Sequence, residues 1–434
     1  MRKISNTSAL QFFQVFRWGS ILLTGILLTK SSLDSNGIGL YESLVFLAGA
    51  VSFFWVSGLI QSLLAFPDPL NGKRKPLYFN AAIILFVMGL LAAVFILVFD
   101  SAIRTHFKVP DTGDFMPLMA LFIVLSAPAF LVEYIYLLNN KPKSIIFYGL
   151  TSYSLQVALV ILPVFSGFPL EWALGGLVVS AAIRFIWLIV LLIKHASFQF
   201  YFPYIKEHIR LAIPLVISTL LSGSGEYIDG FIITNFFDSS TFAVYRYGAR
   251  EFPLFLLLAN ALSNSMIHEV ASEESPSESL SNLRDRSARL MNILFPIAGI
   301  LMISSHWFYP RVFNPAFAQS ASVFNIYLLL LISRLVFPQT IVIAKRKTKI
   351  IVFASVVEII LNVSLSLFLL QFMGIAGVAL GTVIAYLAEK TILMIYCRVH
   401  LDIKPSKYIP VEMWLLYSTF LLIAFAVSLF KLGG

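Results

Sequence analysis

The chain has 434 residues, of which 59% are hydrophobic, 15% aromatic and 12% charged, and its mean hydropathy is +0.88. A soluble domain carries about 45–50% apolar and about 25% charged residues, so a soluble enzyme, a disordered chain and a secreted disulfide scaffold are excluded and a polytopic membrane protein is left. The 31 Lys and Arg against 22 Asp and Glu give a net charge of +9, whose meaning depends on where the charges fall.

A helix crosses the hydrocarbon core with about 20 apolar residues. Thirteen runs of that kind follow one another, too long and continuous for β-barrel strands of about ten residues. The first, 10–30, carries Gln11, Gln14 and Arg17 and no small-residue cleavage site, so it is not read as a signal peptide. Next come 42–66, 78–99, 115–138 with Pro128 and Glu133, 145–165, and 171–193 with Arg184. The following linker holds Phe198, Phe200, Tyr201, Phe202 and Tyr204 and reads as an interfacial segment. The seventh run, 211–236, contains Pro214 and the stretch Ser222-Gly-Ser-Gly-Glu226-Tyr-Ile-Asp229-Gly230. The eighth, 241–267, contains Arg246, Arg250, Glu251 and Pro253. The last five are 289–309 with Pro296, 320–344 with Arg334 and Pro338, 350–372 with Glu358, 375–396 with Glu389 and Lys390, and 411–430.

With the N-terminus in the cytoplasm, the inner segments hold 20 of the 31 basic residues and the outer segments 5, among them Lys30, Arg104, Lys108, Arg311 and Lys431. This asymmetry fixes the orientation and accounts for the basic balance without nucleic acid.

Three short matches recur at nearly one spacing. Asp34-Ser-Asn-Gly-Ile-Gly-Leu-Tyr41 resembles Asp238-Ser-Ser-Thr-Phe-Ala-Val-Tyr245, Lys141-Pro-Lys143-Ser144 resembles Lys345-Arg-Lys347-Thr348, and Ala173-Leu-Gly175 resembles Ala379-Leu-Gly381. They predict an all-α polytopic membrane protein of two six-helix lobes, 1–197 and 211–400, joined by the interfacial linker 198–210 and followed by an extra C-terminal helix within 401–434. Lobes entering the membrane in the same sense are related by a pseudo-two-fold axis along its normal, with the substrate site expected near the midplane between them.

Several chemistries find no residues to carry them. Cys397 is alone, so no intrachain disulfide or cysteine metal site is expected. His106, His195, His208, His268, His306 and His400 lie near span ends without ligand spacing, so no metal is expected. No Walker loop is present, and the outer loops, the longest about 100–114, leave no room for a catalytic domain. No catalytic residue, enzyme activity or cofactor is expected. The longest inner loop, with Ser272, Glu273, Glu274, Ser275, Pro276, Ser277 and Glu278, reads as a solvated spacer or a partner-docking segment.

An ionisable residue at membrane depth costs about 2.5–3.5 kcal/mol on insertion scales and should face the bundle interior or a wet cavity. The candidates for binding an anionic substrate are Arg17, Arg184, Arg334, Lys390, Arg246 and Arg250, since guanidinium groups hold phosphate bidentately. The alternative is pairing between helices. For Arg17 and Arg184 nearby acids are scarce, which favours the cavity; for Arg246 and Arg250 the acids Glu226 and Asp229 are natural partners. Glu226 and Asp229 share a helix face within the glycine-rich seventh span, where a coupling proton or sodium ion would bind; glycine-mediated helix packing is the competing account.

The stretch from Leu211-Ala-Ile-Pro-Leu-Val-Ile-Ser through Tyr227-Ile-Asp229-Gly-Phe-Ile-Ile-Thr to Val244-Tyr245-Arg246-Tyr247 resembles the start of the second lobe of MOP-superfamily polysaccharide transporters, the Wzx-type flippases. Gly374-Ile-Ala-Gly-Val-Ala-Leu-Gly381-Thr resembles the sixth helix of that lobe. The Leu-Gly common ahead of the lobe's second helix is replaced by Phe237-Asp238, and the family's usual span count is even. The resemblance implies a MATE-like fold in the bacterial inner membrane. It also implies a flippase that moves undecaprenyl-diphosphate-linked oligosaccharide outward for O-antigen, capsule or exopolysaccharide assembly. Its implied partners are lipid-linked oligosaccharide, membrane lipid and other polysaccharide-assembly proteins. A MATE-like multidrug exporter is the alternative, weakened because the first span carries Arg17 and no acid before Asp34. A membrane polymerase or ligase of the same pathway is a third.

Overall fold

The computed structural model describes residues 5–65, 75–110, 113–250, 253–271 and 276–430. Arg2, Lys3, Lys73, Arg74, Glu251, Lys431 and the loop residues Ser272, Glu273, Glu274 and Ser275 lie outside the described residues. Among the described residues the secondary structure is helical throughout, with no strand.

In chain order the helices are α1 (Asn6–Leu28), α2 (Ser35–Ala65), α3 (Lys75–Val98), α4 (Asp100–Phe107), α5 (Phe115–Ala129), α6 (Leu131–Leu138), α7 (Pro142–Phe165), α8 (Leu170–His195) and α9 (Phe202–Phe236). They continue with α10 (Ser239–Ala249), α11 (Pro253–Ala271), α12 (Pro276–Val312), α13 (Ser320–Leu328), α14 (Leu330–Arg334), α15 (Pro338–Ala344), α16 (Lys349–Met373), α17 (Ile375–His400) and α18 (Val411–Phe430). Ten described helical segments are long and apolar enough to cross a membrane, or twelve if two bent pairs each form one span. The chain is therefore a multi-pass membrane protein. The eighth sequence run departs from expectation: it is divided into α10 and α11, with Arg250 already outside the helix. Pro253 has no N–H and biases the residue before it away from helical angles. A second difference lies in the segment 100–114, where α4 forms and Arg104 pairs with Asp100 at 2.8 Å.

The described chain resolves into two compact units, Met1–Gly223 with Thr234–Ala243, and Ser224–Ile233 with Val244–Gly434. In the first unit α1 lies along α7, α7 along α8, α8 along α5, and α5 along α3. Close approach is bought with small residues: a Cβ on Gly176 would meet the Leu159 carbonyl oxygen at 2.2 Å, and one on Gly149 the Phe13 ring at 2.7 Å. The outer faces stay apolar, as at Ile193 and Val98, which suits lipid rather than water as the surrounding medium.

In the second unit α16 lies along α17, α18 along α12, and α13 along α17. The bent pair there turns by 44° between Arg334 and Pro338. The turn frees backbone carbonyls that lipid cannot satisfy. The Ser287 hydroxyl donates to the Leu335 carbonyl at 2.8 Å, and the Trp414 indole donates to the Ile332 carbonyl at 2.9 Å. α18 docks by stacking Tyr417 on Phe295 at 5.3 Å and by donating the Tyr417 hydroxyl to Asn292 Oδ1 at 2.8 Å.

Two of the repeated sequence matches acquire physical meaning. Asp34 and Asp238 each end a loop by accepting, through Oδ1, the N–H three residues on: Gly37 at 2.8 Å and Thr241 at 2.8 Å. Both are N-caps that satisfy donors a helix start leaves open. The basic turns also correspond, but in a different register from the sequence match. Asn140 and Arg346 both take left-handed angles, φ 53° and 56°. The next residues, Lys141 and Lys347, donate their N–H back five positions to Tyr136 and Val342. This is a helix-ending turn of the Schellman kind, so Asn140, not Pro142, is the counterpart of Arg346.

Candidate functional site

Each unit holds a polar centre among its apolar helices. In the first unit the centre is built on α1, α6, α7 and α8. Arg184 lies midway along α8 and is 7% exposed. Its guanidinium sits over the Tyr153 ring, 5.5 Å from the centroid, and its Nε donates to the Ser180 carbonyl at 3.4 Å. Arg17, midway along α1, is half-buried and faces the Phe130 ring at 5.8 Å. Tyr153, Glu133 and Tyr134 are its electrostatic neighbours. Tyr153 thus touches both guanidinium groups, and Phe13 holds its ring edge-on at 5.7 Å.

The sequence suggests that acids are scarce near Arg17 and Arg184. The fold brings Glu133 within the field of both Arg17 and Arg184. Two features of the backbone account for this. The span 115–138 is broken at Phe130, just after Pro128, which makes Glu133 a first-turn residue of α6. Helical side chains also lean toward their own N-terminus, and α1 and α6 run in opposite senses if each span crosses once, so Arg17 and Glu133 lean toward each other. Still, neither arginine has a carboxylate oxygen within 4 Å among the described residues. Two guanidinium groups share one carboxylate, and the centre carries net positive charge.

In the second unit the centre surrounds Asp229, which is fully buried on α9. Its Oδ2 accepts from the Tyr327 hydroxyl at 2.7 Å, the Thr382 hydroxyl at 2.6 Å and the Tyr245 hydroxyl at 3.1 Å. Its Oδ1 has no hydrogen-bond partner. Beside it, Asn362 Oδ1 accepts from Ser366 at 2.9 Å, and Ser366 and Thr382 both lie 3.2 Å from the Val378 carbonyl. Oxygen atoms of a carboxylate, an amide, two hydroxyls and a backbone carbonyl therefore converge. Such a donor set suits a hard monovalent cation or a proton.

The remaining candidates are placed as follows. Glu226 is engaged by Arg246 at 2.5 Å, with the acid's side chain 56% exposed. Glu226 and Asp229 therefore do not meet in one site. Arg250 lies over the Tyr247 ring at 5.0 Å. Arg334 lies over the Tyr386 ring at 5.1 Å and lines a cavity of about 20 Å³ with Phe255, Phe324, Tyr327 and Leu328, enough for roughly one water. Lys390 pairs with Glu389 at 3.0 Å and donates to Gln339 at 3.1 Å. Among the described residues no group of His, Cys, Asp and Glu is arranged to hold a metal ion.

Sequence reading missed Tyr153 as the bridge between the two arginines, and Tyr245, Tyr327, Asn362, Ser366 and Thr382 around Asp229. One signal was present: Asn362 and Ser366 are four apart in α16, so they share one face.

No curated protein matches the sequence. Among solved structures, the chain is similar to the lipid II flippase MurJ in an inward closed conformation, with TM-score 0.71 and 16% identity over 97% of this chain and 91% of that one. It is also similar to an inward-facing multidrug resistance MATE family transporter of the MOP superfamily, with TM-score 0.63 and 12% identity over 92% of this chain and 98% of that one. A MOP superfamily transporter from Pyrococcus furiosus, described as having a binding pocket of reverse polarity, gives TM-score 0.51 and 13% identity over 92% and 93%. These likenesses establish the fold that those proteins share. The family described as polysaccharide biosynthesis protein matches residues 33–322, two thirds of a chain whose helices have that fold, and the protein belongs to this family.

Proposed function

We propose that the protein is a flippase for undecaprenyl-diphosphate-linked oligosaccharide, working by alternating access in the bacterial inner membrane with its N-terminus in the cytoplasm, and that it serves O-antigen, capsule or exopolysaccharide assembly. The observation that carries this reading is the Arg17–Arg184 centre: two guanidinium groups at membrane depth that share a single acid. Buried positive charge of that kind is costly without an anionic partner. A diphosphate headgroup supplies one, in a form guanidinium binds bidentately. Family membership points the same way, since it ties the chain to polysaccharide assembly. The same centre disfavours export of organic cations, which it would repel.

Asp229 is the coupling-ion residue in this reading, with Thr382, Asn362, Ser366 and the Val378 carbonyl as its companions. Glu226 drops behind it because Arg246 already engages its carboxylate. Arg334, Lys390, Arg246 and Arg250 are secondary candidates for substrate contact. The chain performs no covalent chemistry in this reading; the polymerising and ligating enzymes of the pathway are its partners.

Deletion of the gene tests the proposal. The expected result is loss of surface polysaccharide, with lipid-linked oligosaccharide accumulating in the inner leaflet. Unchanged polysaccharide together with altered drug sensitivity would overturn it in favour of a multidrug exporter.

A further inference from the structure

One acid in the positive centre has no part in the transport reading so far. Glu133 is 1% exposed, and its Oε1 has no hydrogen-bond partner. The groups around it come from every helix that packs on α6. Arg17 approaches from α1 and Arg184 from α8. Tyr148 and Tyr153 stand on α7, and Tyr134 is the neighbour on α6 itself. From α3, among the described side chains, Tyr78 is the titratable one, and its hydroxyl accepts from Asn139 Nδ2 at 3.2 Å, just past the end of α6.

A structural ion pair at this depth would close its carboxylate oxygens on guanidinium N–H groups. Glu133 does not do so, and no ion pair under 4 Å forms with either arginine among the described residues. It acts on the pair through the field alone, with no carboxylate oxygen closed on either guanidinium group. That is the arrangement of a counter-ion that can be exchanged.

We propose that Glu133 is the exchangeable counter-ion of the Arg17–Arg184 pair, ionised while the site is empty and protonated when a diphosphate-headed lipid occupies it. The inference rests on the reading that these two arginines bind the diphosphate. A diphosphate diester carries one negative charge on each phosphorus. Added to two guanidinium groups and an ionised Glu133, it leaves the buried site with an unbalanced anion; with Glu133 neutral, the charges cancel. Like charge at short range drives one group to the neutral form. The proton comes from water on the side to which the site is open, adds to a Glu133 carboxylate oxygen to give the carboxylic acid, and returns to water when the lipid leaves. Substrate binding thereby takes up a proton and tightens as pH falls, by up to about tenfold per pH unit for one proton.

The test uses the full chain in phosphatidylcholine nanodiscs. The probe is a short-chain prenyl-diphospho-N-acetylglucosamine, a diester with no titration of its own near neutral pH. Calorimetry in two buffers of different ionisation enthalpy reads affinity and proton uptake together. For the wild type, uptake of about one proton per probe and a dissociation constant that falls severalfold per pH unit are expected. Glu133→Gln, which mimics the protonated acid, is expected to take up none, to lose the pH dependence and to bind about tenfold more tightly at the alkaline end. No uptake by the wild type, or an unchanged pH dependence in Glu133→Gln, would overturn the proposal. Arg17→Ala and Arg184→Ala separate it from the reading beneath it. If they abolish binding while the wild type takes up no proton, the counter-ion role alone fails; if they bind the probe like the wild type, both fail.

Discussion

Tyr327 donates its hydroxyl to Asp229 Oδ2 at 2.7 Å, and the Thr382 and Tyr245 hydroxyls donate to the same oxygen. Oδ1 is buried and makes no hydrogen bond, although the Asn362 side chain stands beside the carboxylate. An orphaned, fully buried carboxylate oxygen is costly unless something cationic completes it. The purified protein is therefore expected to be stabilised by the coupling cation, with about 2.7 kcal/mol gained at a hundredfold excess over Kd. Thermal melts in sodium against choline, and at acid against neutral pH, read this gain. Asp229→Asn is expected to abolish the response to either variable, and an unaltered response in that variant removes Asp229 from ion coupling.

Glu226 supplies the contrast. It lies on the same helix, but Arg246 engages it and more than half of its side chain is exposed. Exposed pairs contribute about 0.2–1 kcal/mol. Glu226→Gln is expected to lower stability by no more than about that amount and to keep the full cation response of the wild type. A loss of response equal to that of Asp229→Asn would return Glu226 to the ion site.

How far the sequence discloses these centres depends on the kind of residue. Charges in apolar runs stand out because insertion is expensive, so Arg17, Arg184 and Asp229 are visible without a structure. Hydroxyls and amides are not: Thr382, Ser366, Tyr245 and Tyr327 occur freely in membrane helices, and only convergence from α9, α10, α13, α16 and α17 gives them a role. Glu133 was misjudged for a different reason. Its position in the run 115–138 does not reveal its nearness to Arg17, because neither the break at Phe130 nor the lean of the two side chains can be read from a residue count. The division of the eighth run has a local signature in Arg250-Glu251-Phe252-Pro253, outweighed in the sequence by the apolar residues on both sides. The capping roles of Asp34 and Asp238 are legible because a capping residue is fixed by local backbone geometry alone.

The two central arginines are expected to be needed for export and not for insertion. Arg17→Ala and Arg184→Ala should each leave the protein in the membrane fraction, with surface polysaccharide lost and the lipid-linked intermediate retained. Arg184 is nearly buried over Tyr153, where a cation–π contact is worth up to about 2 kcal/mol, so Arg184→Lys is the gentler probe. It keeps the charge but lacks the planar fork, and partial export is expected. Normal export from the Arg17→Ala, Arg184→Ala double variant would reject the anion site.

Asp238 offers a pH-dependent test of the local fold. Hydrogen bonds from the Thr241 side chain and N–H hold its carboxyl below the usual aspartate range. A group whose folded pKa is depressed adds stability above its unfolded pKa, and that stability fades as pH falls toward the folded value. Asp238→Ala is therefore expected to cost about 1 kcal/mol at neutral pH and progressively less below about pH 4. Melting curves of variant and wild type in the same detergent should converge on acidification. A gap that stays constant down to acid pH would show that the carboxylate is not what caps α10.

Gly39 tests the packing of α2 on the start of α10. A Cβ at this position would lie 1.9 Å from the Ser239 carbonyl oxygen and 2.2 Å from its carbon. Both atoms are backbone, so no rotamer change relieves the overlap and one segment must move. Overpacking of this kind costs about 1–3 kcal/mol. Gly175 in α8 is the matched control, since a Cβ there meets nothing within 4 Å, and alanine in a helix interior is favoured over glycine by about 0.5–1 kcal/mol. Gly39→Ala is expected to lower Tm by several degrees and Gly175→Ala to raise it slightly, measured on the same purified chain by scanning fluorimetry. Equal melting of Gly39→Ala and the wild type would mean that α2 and the α10 start do not approach as closely as Gly39 implies.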